Sequence, residues 1–360
     1  MSNLVARLTN PNILALKPYE SARRLYSGGQ DWLNANESPY NNPYSIDDSR
    51  LNRYPACQPE NVIEAYAAYA GLDTNQVLVT RGADEGIELL IRAFCEPQKT
   101  HIMICPPTYG MYAISAETCN VNVVSVPQTA DFELDLPAMQ ANANNVSVVF
   151  ICSPNNPTGN TVAQAQIEAA LELFANRALV VVDEAYIEFA YADNWAVKLA
   201  QYPHLVVLRT LSKAFALAGL RCGFTLASKE VIDTLLKVIA PYPIAEPVAQ
   251  IAAQALAPNP LKRMQQQVAE ISSQREWLCT ALQAFSDVEI VGDQRANFIL
   301  FRTANKDALM TYLVSEGMLI RDQSKQLHLA NCLRISVGTQ SQNERLISLM
   351  KQFYQAEDVA

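Results

Sequence analysis

The central part of the chain, from about residue 55 to residue 245, alternates short apolar segments with amphipathic ones. The apolar segments are mostly rich in Val and Ile, which favours β-strands, and the segments between them have helical periodicity. Strands separated by helices predict an α/β fold with a mostly parallel sheet and helices on both faces. The predicted strands are Gln76–Thr80, Thr100–Cys105, Val121–Val126, Val146–Cys152, Leu179–Asp183, Leu205–Thr210 and Cys222–Leu226, and the predicted helices include Asp84–Cys95, Tyr109–Thr118 and Ala163–Phe174.

Two changes of pattern divide the chain. Residues 1–50 are rich in Asn, Pro, Ser and Tyr without a sustained period, which predicts an extended N-terminal arm lying on the rest of the protein. Three prolines between positions 241 and 247 end the alternation, and a long helical pattern follows over Pro260–Phe285. We therefore predict a large domain over 51–245 and a smaller C-terminal α+β domain over 246–360, with strands at 297–302 and 333–337 and a helix at 306–316.

Charge and composition exclude several classes of function. The 27 Lys and Arg against 36 Asp and Glu give a net charge of -9, the wrong sign for general binding of nucleic acid or anionic lipid. The apolar runs are far shorter than the roughly 20 residues that span a bilayer, and the first ten residues lack the apolar core of a secretory signal. The expected compartment is the cytoplasm, with no membrane partner.

The cysteines and histidines indicate no metal. Eight cysteines occur without CxxC spacing, a pattern that suits free thiols better than a zinc site or disulfide framework. The three histidines, His101, His204 and His328, are isolated in sequence and outside any recognisable catalytic motif.

Polar residues follow four of the apolar runs, and open α/β sheets bind ligands at the carboxyl ends of their strands. Lys213 alone is a weak signal, but Thr210, Ser212 and Arg221 nearby supply donors suited to a phosphate monoester. Helix capping and a surface ion pair remain the alternatives for those three residues. The four segments are Thr80–Leu90, Ser153–Gly159, Val180–Tyr186 and Leu208–Gly223.

The other segments also have two interpretations each. Asp183 ends an apolar run, where a buried carboxylate is costly unless something cationic pairs with it. A cationic ligand is one interpretation, and an N-cap or a structural ion pair is the alternative. Tyr186 could present a hydroxyl beside it. Asn156 could bind a ligand or hold a turn, and Thr80 to Asp84 reads as a strand, a glycine turn and a helix start, where a phosphate or a plain N-cap is possible.

Together these motifs resemble the fold-type I, pyridoxal-phosphate-dependent aminotransferases. An NPTG asparagine, a D-x-x-Y pair and an S-K dipeptide followed eight residues later by Arg occur in the family's order, and Thr210–Gly219 (TLSKAFALAG) resembles the class-II lysine signature. The resemblance covers essentially the whole chain. It implies pyridoxal 5'-phosphate as cofactor and a homodimer as the working unit.

The resemblance also implies roles for individual residues. Lys213 is expected to hold the cofactor as a Schiff base and then to move the substrate proton. Asp183 is expected to keep the pyridine nitrogen protonated, while Asn156 and Tyr186 hydrogen-bond the phenolic oxygen. Tyr109 is expected to stack on the ring, with a core aromatic as the alternative. The implied phosphate ligands are Ala83 and Asp84 through their N–H groups, Thr210, Ser212, Arg221, and Tyr54 from the neighbouring subunit.

Further segments are similar to the histidinol-phosphate aminotransferase branch of the family. They are LKPYE (16–20), LNANESPY (33–40), LNRYP (51–55), TRGADEGIELLIRAFC (80–95) and GMLIRD (317–322). This similarity implies that Tyr19, Asn156, Arg321 and Arg334 bind the phosphate of L-histidinol phosphate, and that Arg334 also accepts the carboxylate of glutamate in a ping-pong reaction. For Tyr19 and Arg321 the alternatives are an aromatic that docks the arm and a surface charge.

Three other functions stay open from the sequence. An aromatic or broad-specificity aminotransferase would share these motifs. A phosphothreonine decarboxylase would bind a phosphorylated amine beside the same cofactor, although the NPTG form argues against it. A non-catalytic protein with the same fold would have no reason to keep Lys213, Asp183, Tyr186 and Arg221 together.

Overall fold

A seven-stranded sheet forms the centre of the computed structural model, which describes residues 4–18, 24 and 28–357. The strand order is β2-β8-β7-β6-β5-β3-β4. Strand β8 runs antiparallel to both neighbours and the other pairs are parallel, which confirms the predicted α/β fold with a mostly parallel sheet. The strands are β2 (Val77–Thr80), β3 (His101–Ile104), β4 (Asn122–Ser125), β5 (Val146–Cys152), β6 (Leu179–Asp183), β7 (Leu205–Thr210) and β8 (Gly223–Ala227).

Helices cover both faces of this sheet, and the strand sequences show why. In β6, Val181 packs into one hydrophobic cluster while Val180 and Val182 pack into another, so both faces of the strand are buried. One cluster includes α4 (Ala83–Phe94), α5 (Met111–Thr118) and α8 (Lys229–Leu235). The other includes α3 (Glu60–Ala70), α6 (Leu136–Ala141), α7 (Gln164–Phe174), α9 (Glu246–Ala255) and the 26-residue α10 (Pro258–Gln283).

A second, antiparallel sheet of four strands lies in the C-terminal part of the chain, in the order β12-β13-β10-β9. Some of its buried side chains, such as Ile299 and Leu333, join the core formed by the helices beside it, whereas Val291, Leu300 and Cys332 belong to a small separate cluster. The elements are β9 (Val288–Val291), β10 (Phe298–Thr303), α11 (Lys306–Ser315), β12 (Arg321–Asp322), β13 (Cys332–Ser336) and α12 (Gln340–Glu357).

The N-terminal segment is not purely extended, so that expectation was wrong for part of it. Two five-residue helices occur, α1 (Leu4–Leu8) and α2 (Pro11–Ala15), each too short to give a detectable helical period. Strand β1 (Asp31–Trp32) then pairs in parallel with β11 (Met318–Leu319). Beyond it, Ser336 N–H donates to the Leu33 carbonyl at 2.8 Å, so this segment is anchored on the small sheet.

The predicted limits of β5, β6 and β7 agree with the structure to the residue. Strand β9 and helix α12 were missed, and the division into domains at 51–245 and 246–360 stays a prediction. Within the described ranges, no helix has both the length and the apolar character needed to cross a membrane.

Candidate active site

One cavity of about 550 Å³ opens at the carboxyl ends of β5, β6 and β7. Residues from stretches far apart in the chain line it, including the segment after β1 and strand β12 of the small sheet. The predicted site residues that line this cavity are Ala83, Asp84, Tyr109, Asn156, Asp183, Tyr186, Thr210, Ser212, Lys213, Arg221, Arg321 and Arg334.

Asp183 places a carboxylate against the cavity at the last residue of β6, where the side chain is 2% exposed. Its Oδ1 accepts a hydrogen bond from the Ala185 N–H at 3.1 Å, and its Oδ2 accepts one from the Tyr112 hydroxyl at 2.6 Å. Burial raises the pKa of Asp183 to about 6, and the two hydrogen bonds act against that rise. No cation lies within ion-pair distance of this carboxylate among the described residues. A cationic ring nitrogen would therefore be well placed here.

Lys213 brings an amine to the same cavity from the loop after β7. Its Nζ donates to the Ala35 carbonyl at 3.2 Å and lies 5.6 Å from the centre of the Tyr186 ring. Burial, followed by the positive charge of Arg334, lowers the pKa of Lys213 to about 8. A substantial fraction of this amine is neutral near pH 8, and a neutral amine is a nucleophile and a base.

An anion cradle lies at the start of α4. Gly82 has φ of +79°, and a Cβ on it would lie 2.7 Å from Arg221 Nη2, so only glycine lets that guanidinium pack against the turn. Arg221 Nη1 lies 3.3 Å from Ser212 Oγ, whose hydroxyl is 2.9 Å from Thr210 Oγ1. Two hydroxyls, a guanidinium and the first N–H groups of a 12-residue helix make a site for phosphate.

The NNPTG loop uses its two asparagines differently. Asn155 is buried and structural, because its amide donates to the Pro107 carbonyl and to Thr158 Oγ1, both at 2.9 Å. Asn156 faces the cavity, and its Oδ1 accepts from Arg334 Nη1 at 2.5 Å. The turn interpretation therefore applies to Asn155, and Asn156 is available for ligand binding.

Two neighbouring arginines of the small sheet line the cavity. Arg321 on β12 is the direct cross-strand partner of Arg334 on β13, and both line the cavity. Like charges directly opposite each other on antiparallel strands destabilise the pair unless something compensates. Arg334 Nη2 also donates to the Asn34 carbonyl at 3.1 Å, so its fork is held in place. Two adjacent guanidinium groups of this kind suit an anion.

Comparison with known proteins agrees with this geometry. The sequence profile of the aminotransferase class I and II family matches residues 26–349. The histidinol-phosphate aminotransferase of Pseudoalteromonas atlantica is 60% identical over 98% of this chain and 96% of its own length, and that of Yersinia pseudotuberculosis is 55% identical over 97% and 91%. The chain belongs to the class I and II aminotransferases.

Within this family the chain groups with the histidinol-phosphate aminotransferases, as its motifs predict. Its fold also matches the crystal structure of the Sinorhizobium meliloti histidinol-phosphate aminotransferase in complex with pyridoxal-5'-phosphate, with a TM-score of 0.85 at 21% identity over 97% of this chain and 98% of the other.

One predicted site residue of the aminotransferase lies away from the cavity, and another cannot be placed. Tyr54 does not line the cavity; it is 79% exposed and stacks on Tyr242 with ring centres 4.4 Å apart. Tyr19 lies outside the described residues.

The structure also adds residues that the sequence did not single out. Asn36 Nδ2 donates to the Tyr186 hydroxyl at 2.9 Å, which leaves the tyrosine proton to point elsewhere. Gln323 and Gln326 line the cavity beside Arg321 and are hydrogen-bonded to each other at 2.9 Å. The LNANESPY segment was a family signal for Asn36, whereas nothing local in sequence marked the two glutamines or Tyr112.

The aminotransferase cavity fits pyridoxal phosphate. Its phosphate matches the cradle that Gly82 leaves open for Arg221, its ring nitrogen matches the buried Asp183 carboxylate, and its aldehyde matches the Lys213 amine. Tyr109 donates to Asp84 Oδ1 at 2.9 Å and borders the same space with its ring. These residues together supply each type of group that the cofactor requires.

Proposed function

We propose that this protein binds pyridoxal 5'-phosphate and transfers the amino group between L-histidinol phosphate and 2-oxoglutarate, a reaction of histidine biosynthesis. The observation that carries the proposal is that one cavity is lined by two separate groups of arginines and by the Lys213 amine. The first group is Arg221, and the second is Arg321 with Arg334. One anion site suits the cofactor phosphate. The other suits the phosphate of the substrate.

The paired arginines support a phosphorylated substrate. A phosphate dianion offers several oxygens and can be shared by two guanidinium groups, and a carboxylate can take the fork of Arg334 alone. Because Arg334 is 7% exposed and fixed by Asn156 and the Asn34 carbonyl, it can bind either anion with little loss of side-chain freedom. This accounts for alternating use of one site by histidinol phosphate and glutamate.

The chain's own groups supply the proton transfers. Pyridoxal phosphate, when bound, supplies an electrophilic carbon and a protonated ring that withdraws electrons. Asp183 holds positive charge at the ring nitrogen, and the Tyr186 hydroxyl, which accepts from Asn36, is free to donate into the cavity. Lys213, with its pKa lowered to about 8, removes and returns the proton at the reacting carbon.

The relatives support the substrate assignment. Proteins that are 55% and 60% identical over nearly the whole chain carry the name histidinol-phosphate aminotransferase. At that similarity the residues around a cavity are usually retained, so the same substrate is the simplest inference.

A panel of half-reactions tests the proposal. The purified protein is expected to be yellow, to bleach with borohydride with the label on Lys213, and to lose the coenzyme absorbance as Lys213→Ala. Coenzyme absorbance is then followed after addition of histidinol phosphate, phenylalanine, tyrosine or phosphothreonine. Fast conversion by histidinol phosphate alone supports the proposal. A preference for the aromatic amino acids, decarboxylation of phosphothreonine, or a protein that never takes up the cofactor would contradict it.

A matched pair of arginine variants tests the second anion site. Removal of one partner from a desolvated ion pair typically costs about 2 kcal/mol or more. The affinity of Arg321→Gln for histidinol phosphate is therefore expected to fall by roughly 30-fold or more. The affinity for glutamate is expected to fall much less, because Arg334 remains to bind its carboxylate. Arg302→Gln removes the same charge from the same sheet, but its guanidinium bonds to Glu289 and to backbone carbonyls and does not line the cavity. Equal losses for both substrates would remove the role assigned to Arg321.

We further propose a homodimer in the cytoplasm, built from subunits with domains at 51–245 and 246–360. The exposed, stacked rings of Tyr54 and Tyr242 support a covering second subunit whose cofactor phosphate Tyr54 would reach. Eight cysteines, all unpaired, support a reducing compartment. Light scattering gives the mass of the particle, and Tyr54→Phe is expected to release the cofactor faster; a monomer would contradict the assignment.

A further inference from the structure

Tyr112 lies directly behind the cavity without lining it. It is on α5 and fully buried, and its ring stacks on Phe150 of β5 with centres 4.8 Å apart and planes within 9°. Its hydroxyl donates to Asp183 Oδ2 at 2.6 Å, a short bond of the charge-assisted kind. Packing fixes the ring, and the hydroxyl is held against Asp183 with the Cys152 thiol as a second neighbour.

This hydrogen bond completes the restraint on Asp183. The Ala185 N–H holds Oδ1 and Tyr112 holds Oδ2, so the carboxylate cannot rotate without losing one of them. Burial and the adjacent Asp183 charge raise the pKa of Tyr112, which keeps its proton on the phenol and makes it a permanent donor. The titratable groups around Asp183 are Tyr112 from α5, Cys152 from β5, Asp84 from α4, Glu184 and Tyr186 from its own segment, and Lys213 across the cavity.

We propose that Tyr112 is a positioning residue, whose hydroxyl fixes the Asp183 carboxylate toward the cavity and keeps it ionised for a cationic ring nitrogen. The inference rests on the proposed function, in which Asp183 meets the pyridine nitrogen of the cofactor. Tyr112 does not line the cavity, and its hydroxyl acts through Asp183.

The edge contact with Tyr109 connects the same side chain to the other half of the site. The two rings meet nearly at right angles, with centres 5.6 Å apart, and Tyr109 in turn donates to Asp84, which pairs with Arg221. Tyr112 therefore supports both the carboxylate and the ring that borders the cofactor space. A substitution that keeps the aromatic ring separates the hydroxyl's effect from that of packing.

Tyr112→Phe is the variant that removes only the hydroxyl, and Tyr66→Phe is its matched control. Tyr66 is equally buried and stacks on Phe224 with planes within 13°, but it lies in the other core cluster, away from Asp183. Neither change opens a large cavity. A general effect of losing a buried hydroxyl would appear in both variants.

The first measurement uses cofactor-free protein with ¹³C-labelled aspartate carboxylates. The Asp183 resonance is the one absent from Asp183→Asn, and its titration reports the ionisation of that group. A hydrogen bond to a charged group contributes about 1.5–3 kcal/mol, so the acid dissociation constant of Asp183 is expected to fall by roughly 10- to 100-fold in Tyr112→Phe. It is expected to stay unchanged in Tyr66→Phe. Replacement of Tyr112 by 3-fluorotyrosine, a stronger donor, is expected to raise the constant.

The second measurement uses holoenzyme loaded with pyridoxal phosphate labelled with ¹⁵N in the ring. The ring nitrogen is expected to be protonated in the unchanged enzyme and to shift toward the unprotonated resonance in Tyr112→Phe. The kcat is expected to fall by about tenfold while the KM for both substrates stays the same, because Tyr112 contacts neither.

Each outcome decides between the roles. An Asp183 titration that is the same in Tyr112→Phe and the unchanged protein, or equal shifts in Tyr66→Phe, would overturn the inference. A normal ring-nitrogen resonance in Tyr112→Phe would overturn it as well. If the protein bound no pyridoxal phosphate at all, the proposed function would fail, yet the titration of cofactor-free protein would still decide whether Tyr112 controls Asp183.

Discussion

Replacing Asp183 by Asn is expected to stabilise the cofactor-free protein, and to do so more strongly as the pH rises. The carboxylate is buried without a cationic partner among the described residues, and burial raises its pKa from 3.8 to about 6. The folded state therefore binds the proton more tightly than the unfolded state does. The stability that this proton contributes is fully present below pH 3.8 and is lost as the pH rises through 6.

The size of the effect follows from the two pKa values. A rise of roughly two in the pKa of Asp183 changes the free energy of unfolding by about 3 kcal/mol in full. About 1.4 kcal/mol of this change occurs between pH 5 and pH 8. For a chain of 360 residues, with an unfolding entropy of about 2.1 cal/mol/K per residue, that difference is about 2 °C in Tm. The Tm advantage of Asp183→Asn over the unchanged protein is expected to grow by this amount across the interval.

Thermal unfolding followed by circular dichroism at pH 5, 6, 7 and 8 measures this advantage. Glu188→Gln is the matched control, because burial raises the pKa of Glu188 to about 7 and this residue does not line the cavity. In cofactor-free protein, the Tm advantage of both variants over the unchanged protein is expected to grow with pH. With pyridoxal phosphate present, Asp183→Asn is expected to lose its advantage and Glu188→Gln to keep it. An advantage for Asp183→Asn that is the same at pH 5 and pH 8 would refute the reasoning.

Three other perturbations have definite expected outcomes. Covalent capture of pyridoxal phosphate by cofactor-free protein is expected to accelerate with pH and to level off above the lowered pKa of Lys213 near 8; stopped-flow absorbance measures it, and a pH-independent rate would contradict the assignment. Glu184→Gln leaves the fully buried Arg209 without its partner at 2.7 Å and is expected to cost about 3–5 kcal/mol, measured by urea unfolding; a loss below about 1 kcal/mol would contradict it. Gly82→Ala places a Cβ 2.7 Å from Arg221 Nη2 and is expected to weaken cofactor binding at least about tenfold, measured by equilibrium dialysis; unchanged affinity would show that Arg221 is not part of the cradle.

Much of the fold and many of the site residues were predictable because their signals are local in sequence. The Val-rich runs of β5, β6 and β7 had correct limits, since a strand buried on both faces has to be apolar throughout. Asp183 follows its strand directly, and Lys213 comes three residues after β7. Residues at strand ends are brought to one edge of a parallel sheet, so their convergence follows from topology alone.

The structure corrected the prediction where contacts cross long stretches of chain. The described part of the arm includes the short helices α1 and α2, and its segment after β1 enters the site, where Asn36 bonds to Tyr186 across 150 residues. Strand β9 went unpredicted because its exposed Glu289 interrupts a run of only four residues. Short elements at the edge of a small sheet carry too little periodicity to be recognised.

The amino-acid sequence alone determined that an amine, a carboxylate and several phosphate donors would meet at one edge of an α/β sheet. Only the tertiary structure decided how each group is held, because Tyr112 and Asp183 are 71 residues apart, and the carbonyl of Asn34 and the guanidinium of Arg334 are 300 apart. Partners of this kind are selected by strand order and helix packing. No local pattern encodes which two buried side chains will finally touch.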